Sequence, residues 1–206
     1  MLEPTMQALA AGRLILASSS PRRHKIIKQL GLNVEVVVSN YDENLDRSKY
    51  NSHGEYVQDL AKFKVQEVYE RLKNDPVPPS LIIGADTLVT VGETIYGKPK
   101  DESEAFHILS HLASREHVVY TGVCLKTLKT EVIFHESTKV KFGDLSEAQI
   151  RAYIKTGECL DKAGGYGVQG VGGSLIERVN GDFYTIMGMP LYSTVKRLNE
   201  MFCNTL

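Results

Sequence analysis

Tryptophan is absent from this 206-residue chain, and cysteine is scarce. The three cysteines, Cys124, Cys159 and Cys203, are odd in number, far apart and without C-x-x-C spacing. That excludes a disulfide framework and a cysteine-based zinc ribbon, and it suits a reducing compartment. Charge of one sign is also missing: 24 Lys+Arg stand against 25 Asp+Glu, a net charge of −1. No global basic field therefore draws the chain to nucleic acid. No window approaches the run of about 18 apolar residues that a membrane span needs. Neither nucleic acid nor membrane is an expected partner. Residues 1–12 contain Glu3 and Pro4 and no basic stretch, a poor secretory signal. We expect a flexible lead-in over 1–12, a single domain over 13–206, and a cytoplasmic location.

What is present is ordinary for a globular protein. Apolar residues make up 42% and charged residues 24%, which argues against wholesale disorder. A chain of this length buries roughly 70% of its unfolded surface, so it needs no disulfide or structural metal. Leu14 to Ala17 reads as a buried strand, and Ser20-Pro21 as the cap and first residue of a helix ending at Gly31. Val34 to Val38 is β-branched and strand-like. Val57, Leu60, Ala61, Lys64, Val65, Val68 and Leu72 fall at helical spacing. Leu81 to Ala85 reads as a third strand, followed by a strand pair about Gly92-Glu93.

Asp101-x-x-Glu104 opens a helix reaching Leu112, and Ser146-x-x-Gln149 opens another. Between them, 118–128 and 132–142 read as two long strands. Asn180-Gly181 is a strong hairpin signal, pairing 175–179 with 183–187. A last helix starts at Pro190. The expected fold is mixed α/β, an elongated twisted sheet with flanking helices.

Four clusters carry chemistry. Ser18-Ser19-Ser20-Pro21-Arg22-Arg23 lies between a strand and a helix N-terminus. Free N–H groups, hydroxyls and two guanidinium forks make it an anion site, or else a capped helix with two solvated arginines. Asp86, in Gly84-Ala85-Asp86-Thr87 at the expected end of the third strand, can hold a metal or accept a proton, or cap a turn. Asp42-Glu43 has the same ambiguity. If Glu43 and Asp86 converge, they offer the hard oxygens that Mg²⁺ prefers. Lys98 sits in the rigid turn Gly97-Lys98-Pro99. Lys64 lies on an apolar helix stripe, either snorkelling to solvent or aimed at phosphate. Finally, six glycines fall within 164–173, more than a turn requires. They permit close backbone approach to a ligand, although the segment is neither a Walker A loop nor G-x-G-x-x-G.

In one order on one chain, these pieces resemble the Maf family of nucleoside triphosphate pyrophosphatases. The matching segments are Leu16-Ala17-Ser18-Ser19-Ser20-Pro21-Arg22-Arg23, Asp42-Glu43, Leu60-Ala61-Lys62-Phe63-Lys64, Ala85-Asp86-Thr87 and Gly97-Lys98-Pro99. They continue with Thr121-Gly122-Val123, Asp161-Lys162-Ala163-Gly164, Tyr166-Gly167-Val168-Gln169-Gly170 and Gly188-Met189-Pro190-Leu191. The resemblance runs from about Leu14 to Phe202. It implies two lobes around a cleft, a homodimer, and hydrolysis of a nucleoside triphosphate to the monophosphate and pyrophosphate with a divalent cation, Mg²⁺ or Mn²⁺.

Carried over, Asp86 takes the proton-acceptor position, and Arg22, Thr87 and Gln169 the positions that set base preference. Tyr166-Gly167-Val168-Gln169 is similar to the loop of the dTTP/UTP subgroup. Gly165, Val65, Met189 and Thr185 depart from the usual alanine, alanine, leucine and asparagine. The resemblance then orders the chemistry. Ser18, Ser20, Arg22, Arg23, Lys64 and Lys98 bind and neutralise the triphosphate, Glu43 and Asp86 hold metal, and Asp86 activates water. The competing expectations are the same fold acting on 7-methyl-GTP or other modified nucleotides, and a nucleotide-sensing regulator without turnover.

Overall fold

The computed structural model describes residues 1–2 and 5–203, the side chain of Cys203 excepted. Glu3 and Pro4 of the lead-in and residues 204–206 at the end of the expected domain lie outside the described residues. The helices are α1 (Met6–Ala10), α2 (Pro21–Gln29), α3 (His53–Leu72), α4 (Glu102–Leu112), α5 (Glu147–Ile154), α6 (Phe183–Met187) and α7 (Leu191–Cys203). The strands are β1 (Leu14–Leu16), β2 (Glu35–Val36), β3 (Leu81–Val91), β4 (Thr94–Tyr96), β5 (Glu116–Lys126), β6 (Glu131–Phe142) and β7 (Ile176–Asn180).

The strands form one mixed sheet in the order β2-β1-β3-β5-β6-β7, with β4 paired to β3 off that path. β1 runs parallel to β2 and β3, while β4 is antiparallel to β3 and β7 to β6. The expected mixed α/β sheet with flanking helices is the fold. No helix among the described residues is long and apolar enough to cross a membrane.

Local chemistry starts the helices where the sequence places them. Ser20 caps α2 by accepting from the Arg23 N–H at 3.4 Å, with Pro21 in the first turn. Ser52 caps α3 through the Glu55 N–H, and Asp101 caps α4 through the Glu104 N–H. At α5 both halves of the Ser146/Gln149 capping box form.

Three expectations need correction. The third strand does not stop at Ala85: β3 continues through Asp86 to Val91. The following stretch, Thr87 to Val91, is rich in β-branched residues, and its last three residues, Val89 to Val91, pair with β4 across Gly92-Glu93. Asp86 is therefore in the middle of a strand. The second strand shrinks to Glu35–Val36, because its partner β1 offers only Leu14–Leu16 for pairing, and the Val37 N–H makes one last bond to the Leu16 carbonyl at 3.1 Å. The Asn180-Gly181 hairpin is not formed, because 183–187 is helix α6. Asp182 outcompetes the turn: its Oδ2 accepts from the Thr185 N–H at 2.6 Å and the Thr185 hydroxyl at 2.8 Å. That is helix-start chemistry.

The chain divides into two compact units. The first comprises Met1–Asp86, Thr121–His135 and Gly188–Leu206. Ile15, Ala17, Ala61, Val65, Val68, Ile82 and Cys124 form a buried cluster there. Within its first residues, Leu2 and Leu9 are buried and the Thr5 hydroxyl donates to Asn199 Oδ1 at 2.8 Å. The second unit comprises Thr87–Tyr120 and Glu136–Met187. Its core includes Val89, Leu109, Leu112, Phe142, Ile154 and Tyr166.

Candidate active site

Two glycines bring α3 down onto the sheet. A Cβ at Gly84 of β3 would run into the Val65 side chain, and one at Gly122 of β5 into the Val57 carbonyl. Without side chains at these positions the helix lies directly on the strands. Leu60, Ala61 and Val65 are buried on that face, and Lys64 is carried in beside them. Its Nζ stands 2.5 Å from Asp86 Oδ1 and 2.7 Å from Glu43 Oε1.

The Lys64 and Asp86 side chains are 14% and 12% exposed, whereas Glu43 is 55% exposed. Asp86 is thus the inner end of the cluster and Glu43 the outer. A largely buried ammonium or carboxylate without its partner would carry a heavy desolvation penalty, which explains why both are paired. Lys64 does not snorkel to water; it bridges two carboxylates.

The Ser18 to Arg23 segment is built beside the end of β1. Ser18 is buried, and its Oγ accepts from the Ser20 N–H and from Arg23 Nη1, each at 3.2 Å. Arg23 Nε donates to the Gly188 carbonyl at 2.8 Å. Burial pushes the Arg23 guanidinium below its ordinary pKa; the charges of Asp86 and Glu43 pull it back up, and Arg22 pushes it down. Arg23 therefore feels both carboxylates of the Lys64 cluster. Arg22, on α2, is half-buried.

Tyr56 was missed by sequence reasoning. Burial raises its phenol pKa, and Asp86 and then Glu43 raise it further, so it also shares the field of the cluster. The signal was available, since Tyr56 and Lys64 are eight apart on α3 and lie on one helix face.

Seven of the ten sequence-selected residues thus belong to the first unit: Ser18, Ser20, Arg22, Arg23, Glu43, Lys64 and Asp86. The other three belong to the second. Thr87 follows Asp86 on β3 and is half-buried, Lys98 is exposed after β4, and Gln169 is exposed between two 3-10 turns, Ala163–Gly165 and Val171–Leu175.

Among the described residues, no group of three or more His, Cys, Asp or Glu is placed to hold a metal. Two carboxylates do converge, and Glu43 and Asp86 already share one positive charge, the Lys64 ammonium. Mg²⁺ is commonly held by one or two carboxylates with substrate phosphates and water completing its shell. The donor set fits such an ion.

A family model for Maf-like proteins matches residues 13–201. A protein of Caldicellulosiruptor bescii named dTTP/UTP pyrophosphatase is 46% identical over 92% of this chain and 92% of its own length. Another of that name, from Clostridium perfringens, is 43% identical over 91% of this chain and 96% of its own. A human protein named as a probable bifunctional dTTP/UTP pyrophosphatase/methyltransferase is 44% identical over 98% of this chain. The chain spans about a third of that human protein, 34% of its length.

Proposed function

This chain belongs to the Maf family, and from that premise and the Asp86–Lys64–Glu43 cluster we infer that it is a nucleoside triphosphate pyrophosphatase. It hydrolyses dTTP and UTP in preference to other nucleotides, giving the monophosphate and pyrophosphate. The observation that carries the reading is the buried Asp86 carboxylate, held at 2.5 Å by Lys64 in the field of Arg23.

Asp86 takes a proton from water while the water oxygen attacks the α-phosphorus in line. The bond from that phosphorus to the bridging oxygen breaks, and pyrophosphate leaves with the bonding electrons. Lys64 holds the Asp86 carboxylate in place until substrate arrives. Arg22 and Arg23 face the negative charge that spreads over the phosphoryl oxygens, which makes electrostatic stabilisation the larger part of the catalysis. Ser18 fixes the Arg23 fork. Ser20 keeps the start of α2 formed by accepting from the Arg23 N–H, and the positive end of the helix dipole there favours a phosphate oxygen.

Three further roles rest on the sequence motifs: Lys98 adds a cation for the phosphates, and Thr87 and Gln169 select the base. A glutamine amide has the acceptor and donors to pair with the O4/N3–H edge of uracil or thymine.

Glu43 and Asp86 are the residues that would hold Mg²⁺ or Mn²⁺. When bound, such an ion neutralises phosphate oxygens and polarises the phosphoryl group. The same reading carries a homodimer working on nucleotide pools in the cytoplasm. The test is pyrophosphate release from a panel of triphosphates. UTP and dTTP are expected to exceed CTP, ATP and GTP in kcat/KM by at least about tenfold. A preference for purines or 7-methyl-GTP refutes the substrate assignment, and no pyrophosphate from any triphosphate refutes the enzyme.

A further inference from the structure

The glycine-rich segment closes around one of the protein's own carboxylates. Glu158 follows α5 by four residues. Its Oε2 accepts from the Val171 N–H at 2.9 Å, and its Oε1 from the Gly172 N–H at 3.2 Å. The Tyr153 hydroxyl donates to the same Oε1 at 3.3 Å and accepts from the Gly167 N–H, also at 3.3 Å.

The glycines follow from this wrapping. A Cβ at Gly170 would collide with the Glu158 carboxylate, and one at Gly167 would stand 2.8 Å from its Oε1. At Gly172 it would come 2.8 Å from the Tyr153 hydroxyl. The upstream end is fixed separately, by the Tyr166 hydroxyl 2.8 Å from His117 Nε2. Gln169 therefore lies in a stretch of chain whose two flanks are tied to one side chain and its tyrosine neighbour. Charge-assisted bonds from backbone N–H groups to a carboxylate are stronger than neutral ones, and they orient backbone rather than side chain.

Resting on the reading that Gln169 selects the base, we propose that Glu158 is a positioning residue for base choice. Its carboxylate sets the conformation of residues 167–172 and thereby aims the Gln169 amide, without touching substrate. Glu158 carries no part of the phosphate chemistry, so its effect is confined to the comparison between bases.

The test is a double-mutant cycle read on the ratio of kcat/KM for UTP to that for CTP. In Glu158→Gln one acceptor oxygen becomes an NH₂ group that cannot receive a backbone N–H. That ratio should fall by about tenfold, the order of one lost hydrogen bond. Gln169→Ala should lower it similarly, and the double variant should fall little further, because both changes act through one amide. A loss in Glu158→Gln that is equal for UTP and CTP, or that adds in full to Gln169→Ala, marks a merely structural residue and overturns the proposal. An unchanged ratio in Gln169→Ala itself defeats the base-selection reading, and the route for Glu158 with it.

Should Glu158→Gln not fold, Tyr153→Phe deletes the hydroxyl that donates to Glu158 Oε1 and accepts from the Gly167 N–H, keeps the ring, and leaves the carboxylate in place. A lower ratio in Tyr153→Phe supports the proposal, and an unchanged one overturns it.

Discussion

The Asp86 cluster and the loop around Glu158 each set a carboxylate among hydrogen-bond donors, but the donors differ in kind. Asp86 is met by an ammonium on a flexible stem, Lys64 Nζ, which it shares with the exposed Glu43. Glu158 is met by the backbone N–H groups of Val171 and Gly172. A side-chain cation can swing aside or share its charge when phosphate or a metal ion arrives. Backbone donors cannot leave without refolding the loop. The first arrangement suits a site whose electrostatic partners exchange during turnover, and the second a recognition surface whose shape must persist.

The sharpest break in this comparison is Asp86→Asn. It keeps the shape but removes the carboxylate proposed as proton acceptor, so turnover should fall by about a hundred- to ten-thousandfold. Binding of triphosphate should hold or tighten as charge repulsion falls. Pyrophosphate release and calorimetric titration measure the two separately. Near-normal turnover in a folded Asp86→Asn protein removes Asp86 from the chemistry.

The second test concerns pH and the second region alone. Burial lowers the His117 pKa to about 4 from 6.5, with the nearby Glu116 opposing weakly. The unfolded chain therefore takes up this proton first. The stabilisation is complete above about 6.5 and is lost as pH falls from there to about 4. It amounts to about 3 kcal/mol. Urea midpoints at several pH values should fall across that window, and His117→Gln should flatten the slope whatever its stability at neutral pH. A slope unchanged in His117→Gln would assign the acid sensitivity to other groups.

Arg23→Ala and Lys98→Ala sharpen the comparison from the charge side. Each should lower kcat/KM by about ten- to a hundredfold, given ~1.5–3 kcal/mol for a charge-assisted hydrogen bond. The losses should shrink on diphosphates. Equal losses at every phosphate length would make these residues structural. Their effects should also be the same for UTP and CTP, in contrast to changes in the loop.

The smallest effect is expected where no charge is removed. Thr87→Val keeps the volume and β-branching of a half-buried strand position and deletes one hydroxyl. It should narrow the preference for UTP over ATP by a few-fold, about 1 kcal/mol for one neutral hydrogen bond. Initial rates on the two substrates decide it, and an unchanged preference removes Thr87 from base selection.

Much of this was legible along the chain wherever the signal was local. Ser20-Pro21 started α2, the apolar stripe from Val57 to Leu72 marked α3, and Ser146-x-x-Gln149 made its capping box. The errors came where two local signals competed. Asn180-Gly181 favours a hairpin, but Asp182 two residues on from Asn180 caps Thr185 and turns the chain into α6. The strand carrying Asp86 was cut short at Ala85 because a carboxylate reads as a strand end. Pairing to β4 carries β3 onward to Val91. Glu158 was invisible for another reason. A single glutamate after Gly157 has no period and no motif, and its partners are 13 and 14 residues away.

The sequence by itself determined the composition class, most of the elements and the family, because caps, periodicity and ordered motifs are properties of neighbouring residues. It also carried the list of candidate site residues. Only the tertiary structure decided what those side chains meet. Lys64 lies between Asp86 and Glu43 because Gly84 and Gly122 let α3 settle onto the strands. The glycines at 167 and 170 leave room for a carboxylate of the protein itself. Such contacts depend on how closely distant segments approach in space, which no local pattern of residues encodes.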